Sequence, residues 1–329
     1  MRSQTRIRGV LAVLAMLAAA VALAACGSDD ETSTETDSTA ASGDNLIQEN
    51  PENNGVKLTV GSKNFTEQFI LGEIYAQALE AAGYDVSTDL NLGSEQVALK
   101  ALENSQISGY PEYTSTALTS FFGVAPEDVP ADAQAAVDET QEDFAKKGLV
   151  AFAPTPFSSA NAVGLLQSTA DDLGVSTISD LEGKSQDLTL AGSPECRQRI
   201  DCLAGLEQYY GLDFGKFTPI DIGLRYEVLD KGDADLSILF TTDGALFVDS
   251  DKYTLLEDDK EVLPAGNVIF ISDEKVATEA GPDYQATIEK VQGGLSLEVM
   301  QELNARVDID KEKPEDVAAQ YLQEAGYTE

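Results

Sequence analysis

The chain has no histidine and no tryptophan, and its 329 residues include only three cysteines. Without histidine, Ser-His-Asp and Cys-His catalysis and histidine-ligated zinc are excluded. Without tryptophan, any aromatic site must be built from tyrosine and phenylalanine. Basic residues are scarce too: 21 Lys and Arg stand against 58 Asp and Glu, a formal charge of −37. That balance argues against a nucleic-acid partner, because phosphate binding needs clustered Lys and Arg. An acidic surface keeps a chain soluble and gives a cationic ligand a favourable field. Solubility or a salty habitat accounts for the acidity equally well.

Long apolar runs are missing everywhere except at the start. "MRSQTRIRGVLAVLAMLAAAVALAAC" carries Arg2, Arg6 and Arg8, then an apolar run from Val10 to Leu23, then small residues. A basic start, an apolar middle of this length and a small-residue end describe an export signal over residues 1–25. The ending Leu23-Ala24-Ala25-Cys26 resembles the lipobox of bacterial lipoproteins, which implies cleavage before Cys26 and its lipidation. The alternative is a plain signal peptide or membrane anchor with a chance cysteine. Loss of the three arginines would leave 18 basic against 58 acidic residues, a charge of −40. No later stretch approaches the roughly 20 apolar residues of a spanning helix. Residues 26–55 are polar and acidic, too poor in apolar side chains to offset ordering entropy, and read as a flexible linker. The folded part is expected from Val56. About 270 residues then remain, enough for two lobes.

With Cys26 lipidated, Cys196 and Cys202 are left in "PECRQRIDCLAGL". An exported chain with one close pair is expected to form a disulfide. A redox-active pair is the alternative, although this spacing is not a redox motif.

From Val56 strand-like and helix-like segments alternate. "VKLTVGS" reads as a strand and "NFTEQFILGEIYAQALEAAG" as a helix, with Asn64 as its N-cap and Gly83 at its end. "YDVSTDLNL" is a strand and "SEQVALKALENSQ" a helix, and a further helix spans about residues 131–147. The theme repeats through "NAVGLLQ", "DLTLAGS", "KFTPIDI" and "ADLSILFTTDG" as strands, with "TISDLEGK" as a capped helix start. "NVIFIS" is a last strand before a mostly helical end. Two such α/β blocks imply parallel or mixed sheets, with a ligand cleft between two lobes.

"GSKNFTEQ", "ISGYPEYTST", "SPECRQRIDCLAGLEQYYGLDF" and "FTTDGAL" occur in order along this frame. Together they resemble the substrate-binding proteins of osmoprotectant ABC importers, which take glycine betaine, choline, carnitine and related quaternary amines. The resemblance implies an α/β, two-lobed type II periplasmic-binding-protein fold of Venus-flytrap kind, with a mixed sheet in each lobe. Lobe 1 would be 56–156 and 264–329, and lobe 2 157–263. It implies a lipid-anchored, monomeric protein outside the cytoplasm, neither enzyme nor cofactor carrier, whose partners are ABC permease and ATPase subunits.

A trimethylammonium group has no N–H to donate, so ring faces must hold it, at roughly 0.5–2 kcal/mol per contact. Its carboxylate or hydroxyl end needs donors. The resemblance brings Ser62 and Lys63 to the cleft wall, Tyr110 as the principal cage ring, and Tyr113 and Thr114 behind it. In lobe 2 it brings Asn161, Arg199 towards an anionic ligand end, and Thr242 and Asp243 at the strand return. Tyr226 reads as core. The chain departs from the family pattern at Ser108 and Ser115, and Asn161, Ala162 and Val163 offer no ring where relatives often carry an aromatic. A site missing one wall leaves another small zwitterion as an alternative ligand. Ligand sensing is the alternative to import, and a hydrolase built on paired carboxylates is the alternative class.

Overall fold

The computed structural model describes residues 45–329. The expected export signal, Cys26 and residues 26–44 of the expected linker lie outside the described residues.

Two mixed sheets organise the fold. Eleven strands run through the described residues: β1 (Lys57–Gly61), β2 (Asp85–Asp89), β3 (Gly109–Tyr113), β4 (Leu149–Ala151), β5 (Ser158–Ser159), β6 (Asn161–Leu166), β7 (Thr189–Gly192), β8 (Lys216–Pro219), β9 (Leu236–Phe240), β10 (Tyr253–Leu255) and β11 (Gly266–Asp273). The first sheet has the order β2-β1-β3-β11-β4, with β5 also paired to β11. The second has the order β10-β6-β9-β7-β8. In the first sheet β1 pairs parallel with β2 and β3, whereas β11 runs antiparallel to β3 and β4.

β11 shows why the first sheet is covered on both faces. Val268 and Phe270 enter one apolar cluster with helix Thr66–Ala81, while Ile269 and Ile271 enter another with helix Glu95–Glu103. Successive side chains on a strand point to opposite faces, so an unbroken apolar run must be buried twice. Helix Thr66–Ala81 in turn packs Ile70, Leu71, Ile74 and Ala78 into the first cluster, beside Val317 and Leu322 of helix Pro314–Glu324. The second sheet has its own core, in which Val163, Leu165, Leu190, Leu236 and Ile238 meet Leu203 and Leu206 of helix Leu203–Tyr210.

The chain leaves the first sheet between Ser159 and Asn161 and re-enters it at Gly266. These passages are themselves paired: Ser158 stands opposite Asn267, and Ser159 opposite Gly266. A second bridge lies where helix Gly244–Val248 packs against helix Leu297–Asp308. A Cβ on Gly244 would fall on the backbone of Ala305.

Three sequence expectations are corrected. Residues 45–55 are not a free linker. The Ile47 N–H donates to the Tyr327 carbonyl at 2.9 Å, and the Asn50 and Asn53 amides reach Asp283 and the Ala82 carbonyl at 2.6 and 2.8 Å. Short polar side chains dock this segment by hydrogen bonding where apolar burial is lacking. Asn64 does not cap the first helix: Phe65 holds the cap position without a side-chain bond. "TISDLEGK" makes only a 3-10 turn, Ser179–Leu181.

Candidate functional site

The strand ends and loops of the two sheets enclose a cavity of about 90 Å³. On a measure where one water takes ~10–15 Å³, that is room for six to nine water-sized groups, the scale of a small solute.

Three rings form its aromatic side. Phe65 follows β1, Tyr113 ends β3 and Phe240 ends β9, all on the cavity wall. The Phe65 centroid lies 5.2 Å from that of Phe240 and 6.3 Å from that of Tyr113. The two sheets therefore both contribute, and Phe65 bridges them. The β6 segment lacks a ring, as its sequence says, but Asn161 pairs with Phe240 on the neighbouring strand, so this side is not without one. That corrects the expected gap.

Lys63 lines the cavity with its ammonium 4.5 Å from the Tyr113 centroid and 5.7 Å from that of Phe65. It is ion-paired to Glu112, which also accepts the Tyr113 backbone N–H at 2.8 Å. Burial pushes the Lys63 ammonium below its ordinary value despite that partner. Also on the wall, Arg199 forks onto Asp201, at 2.8 and 2.5 Å, and its Nη1 stands 3.3 Å from Oε2 of Glu95. Its Nη2 lies 3.5 Å from the Thr116 hydroxyl. Arg199 sits between Cys196 and Cys202, whose sulfurs are 1.95 Å apart, at bonding distance. Arg225 is a third cation on the wall, 4.9 Å from the Phe240 centroid. It is neutralised by a fork onto Asp243, which also accepts the Phe240 N–H and the Tyr226 hydroxyl, each at 2.9 Å.

The expected site residues thus separate into two groups. Lys63, Tyr113, Asn161 and Arg199 are on the wall. Tyr110, expected as the principal ring, is not: it is fully buried in the second cluster of the first sheet, its hydroxyl donating to Glu112 at 3.2 Å. The alternation of β3 sends Tyr110 and Tyr113 to opposite faces, and only the Tyr113 face opens on the cavity. Thr114 is buried at the start of a single helical turn, while its neighbours Ser115 and Thr116 line the wall. Ser62 works from behind, donating to the Lys63 carbonyl and accepting from the Asn91 N–H, both at 3.0 Å. Thr242 meets the wall residue Ser159 at 3.1 Å, and Asp243 is spent on Arg225.

Sequence reading missed Phe65, Phe240, Glu95 and Arg225. Phe65 stood in plain view inside "GSKNFTEQ", and Phe240 opened "FTTDG". Their meeting depends on the packing of the two sheets. Among the described residues no group of three or more Cys, Asp or Glu side chains fits a metal ion, and no helix is long and apolar enough to cross a membrane.

Comparison with known proteins agrees with this geometry. A family model described as the substrate binding domain of ABC-type glycine betaine transport systems matches residues 56–324. The glycine-betaine-binding protein of Pseudomonas aeruginosa is 34% identical over 279 residues, covering 81% of this chain and 87% of that protein. The carnitine transport binding protein OpuCC of Listeria monocytogenes is 28% identical over 276 residues, covering 83% and 88%. A crystal structure of a glycine betaine/carnitine/choline ABC transporter superposes with a TM-score of 0.64 at 27% identity, over 81% of this chain and 97% of that one. Its two mixed sheets, joined by paired passages around a ring-lined cavity, and this match over the body of the chain identify it as a member of the family of substrate-binding domains of ABC-type glycine betaine transport systems.

Proposed function

We propose that the protein captures a quaternary-amine zwitterion, such as glycine betaine or carnitine, in this cavity and delivers it to an ABC permease outside the cytoplasm. The observation that carries the reading is a single cavity wall that holds three rings, Tyr113, Phe65 and Phe240, together with the cations Lys63 and Arg199. The rings would take the trimethylammonium end. Each contact is worth roughly 0.5–2 kcal/mol. Lys63 and Arg199, with the hydroxyls of Ser115 and Thr116, would take the carboxylate.

The parts built on the two sheets act as lobes that close over the solute, with 157–263 as the second lobe and the passages beside it as the pivot. The Cys196–Cys202 disulfide fits an exported protein and holds the Arg199 loop. Cys26, lipidated after cleavage of the export signal, would anchor a monomer to the membrane surface, within reach of permease and ATPase subunits. The role is binding without catalysis.

Calorimetric titration against glycine betaine, choline, carnitine, ergothioneine and amino acids tests the reading. Saturable binding of quaternary amines is expected. Saturable binding of another solute, with none of a quaternary amine, would overturn it.

A further inference from the structure

Glu67 lies in the first turn of helix Thr66–Ala81 and is 3% exposed. All its hydrogen-bond partners are uncharged. The Tyr113 hydroxyl donates to its Oε1 at 2.6 Å and the Asn304 amide to its Oε2 at 3.0 Å, with the Thr242 hydroxyl close by. Each of these groups has a proton to give, which suits an ionised carboxylate, and the helix N-terminus favours the same charge. Burial opposes it, pushing the carboxyl above its ordinary value, while the neighbouring hydroxyls and amide pull it down.

Two consequences follow for the Tyr113 ring. Its plane is fixed from behind, because Glu67 is itself tied to the other sheet: the Asn304 amide also donates to the Thr242 carbonyl at 2.9 Å, and Thr242 touches the wall at Ser159. In addition, a phenol hydrogen-bonded to an anion gains electron density on its ring faces. Cation–π attraction is electrostatic, and it grows where water is excluded.

We propose that Glu67 is a positioning residue for the bound cation, fixing the Tyr113 ring through its phenol and, as an anion behind it, favouring a quaternary ammonium over an uncharged group of the same shape. The inference rests on the reading that Tyr113 meets the cationic end of the ligand.

The test compares glycine betaine and choline with their carbon counterparts, 3,3-dimethylbutanoate and 3,3-dimethylbutan-1-ol, by calorimetry on the purified protein. Glu67→Gln, which keeps the shape, should weaken the ammonium ligands about 3- to 10-fold and leave the carbon ligands within twofold. On a Tyr113→Phe background the same substitution should cost nothing further. Unchanged binding of the ammonium ligands by Glu67→Gln, or equal losses for both ligand types, would overturn the inference. If Glu67→Gln does not melt as a folded protein, Tyr113→Phe alone serves, with the same selective loss expected and the same overturning outcomes. Tyr113→Ala separates the two levels. If it binds the ammonium ligands like the wild type, the cage reading falls and takes the inference with it; if it loses them while Glu67→Gln does not, the inference alone falls.

Discussion

Arg199 and Glu95 meet on the cavity wall, Nη1 to Oε2 at 3.3 Å, one from the loop beside the second sheet and the other from the helix start beside the first. Both side chains are largely buried, so the pair is screened less than a surface bridge. Glu95→Gln should loosen the approach of the two parts and weaken solute binding about fivefold, from a pair worth ~1 kcal/mol. Calorimetry measures the affinity, and small-angle scattering of the unliganded protein should report a larger radius for the variant.

The two tyrosines of "YPEY" should behave oppositely. Tyr113→Ala and Phe240→Ala each remove a wall ring and should weaken a quaternary amine by about 3- to 30-fold. Tyr110→Phe removes only the hydroxyl that donates to Glu112 and should leave affinity within twofold. A loss at Tyr110→Phe as large as at Tyr113→Ala would contradict the face assignment of β3.

Joining Cys196 to Cys202 closes a short loop around Arg199. Loop closure of this length is worth about 2 kcal/mol in the chain-entropy account. Cys196→Ser with Cys202→Ser should lower Tm by several degrees and weaken carboxylate-bearing ligands more than choline. A thiol assay on the denatured wild-type chain should find neither cysteine free.

Close approach makes Gly244 irreplaceable. Its helix lies against Ala305 with no room for a Cβ, beside the Asn304 to Thr242 hydrogen bond. Gly244→Ala should destabilise the fold by about 1–3 kcal/mol. Denaturant unfolding measures this, and the same variant should show weaker solute binding because the Asn304 contact moves with the helix.

Acid should act on the Ser176–Asp180 turn last. The Ser176 and Thr177 N–H groups donate to Asp180 at 2.9 and 3.0 Å and hold its carboxyl down to about 2. A depressed carboxyl contributes stability above its unfolded value of 3.8 and loses it as pH falls through about 2. The Tm difference between wild type and Asp180→Asn should therefore be constant at neutral pH and vanish at the acid end.

The succession of strand-like and helix-like segments made the two-sheet architecture legible, because β1, β9 and β11 are short apolar runs rich in β-branched residues and leucine, whereas β3, with its Gly, Pro and Glu, carries no such signal. The place of Lys63 and Arg199 on the cavity wall was legible from their motifs. Tyr110 was misassigned because adjacent motif positions look alike in sequence, and which face of β3 meets the cavity is set by β1 and β11 on either side. Phe240 was invisible for a related reason: its pairing with Asn161 is a long-range register between β6 and β9. Residues 45–55 were misread because their docking uses asparagine amides and backbone groups, which leave no hydrophobic trace.

The two passages between the sheets run side by side as β5 and the start of β11, not as separate threads. A pair of laced strands bends easily across its width but resists shear, since sliding one past the other breaks the bonds that join Ser158 to Asn267 and Ser159 to Gly266. The closure proposed above would therefore swing the two walls like the leaves of one door, returning Phe65 to its place against Phe240.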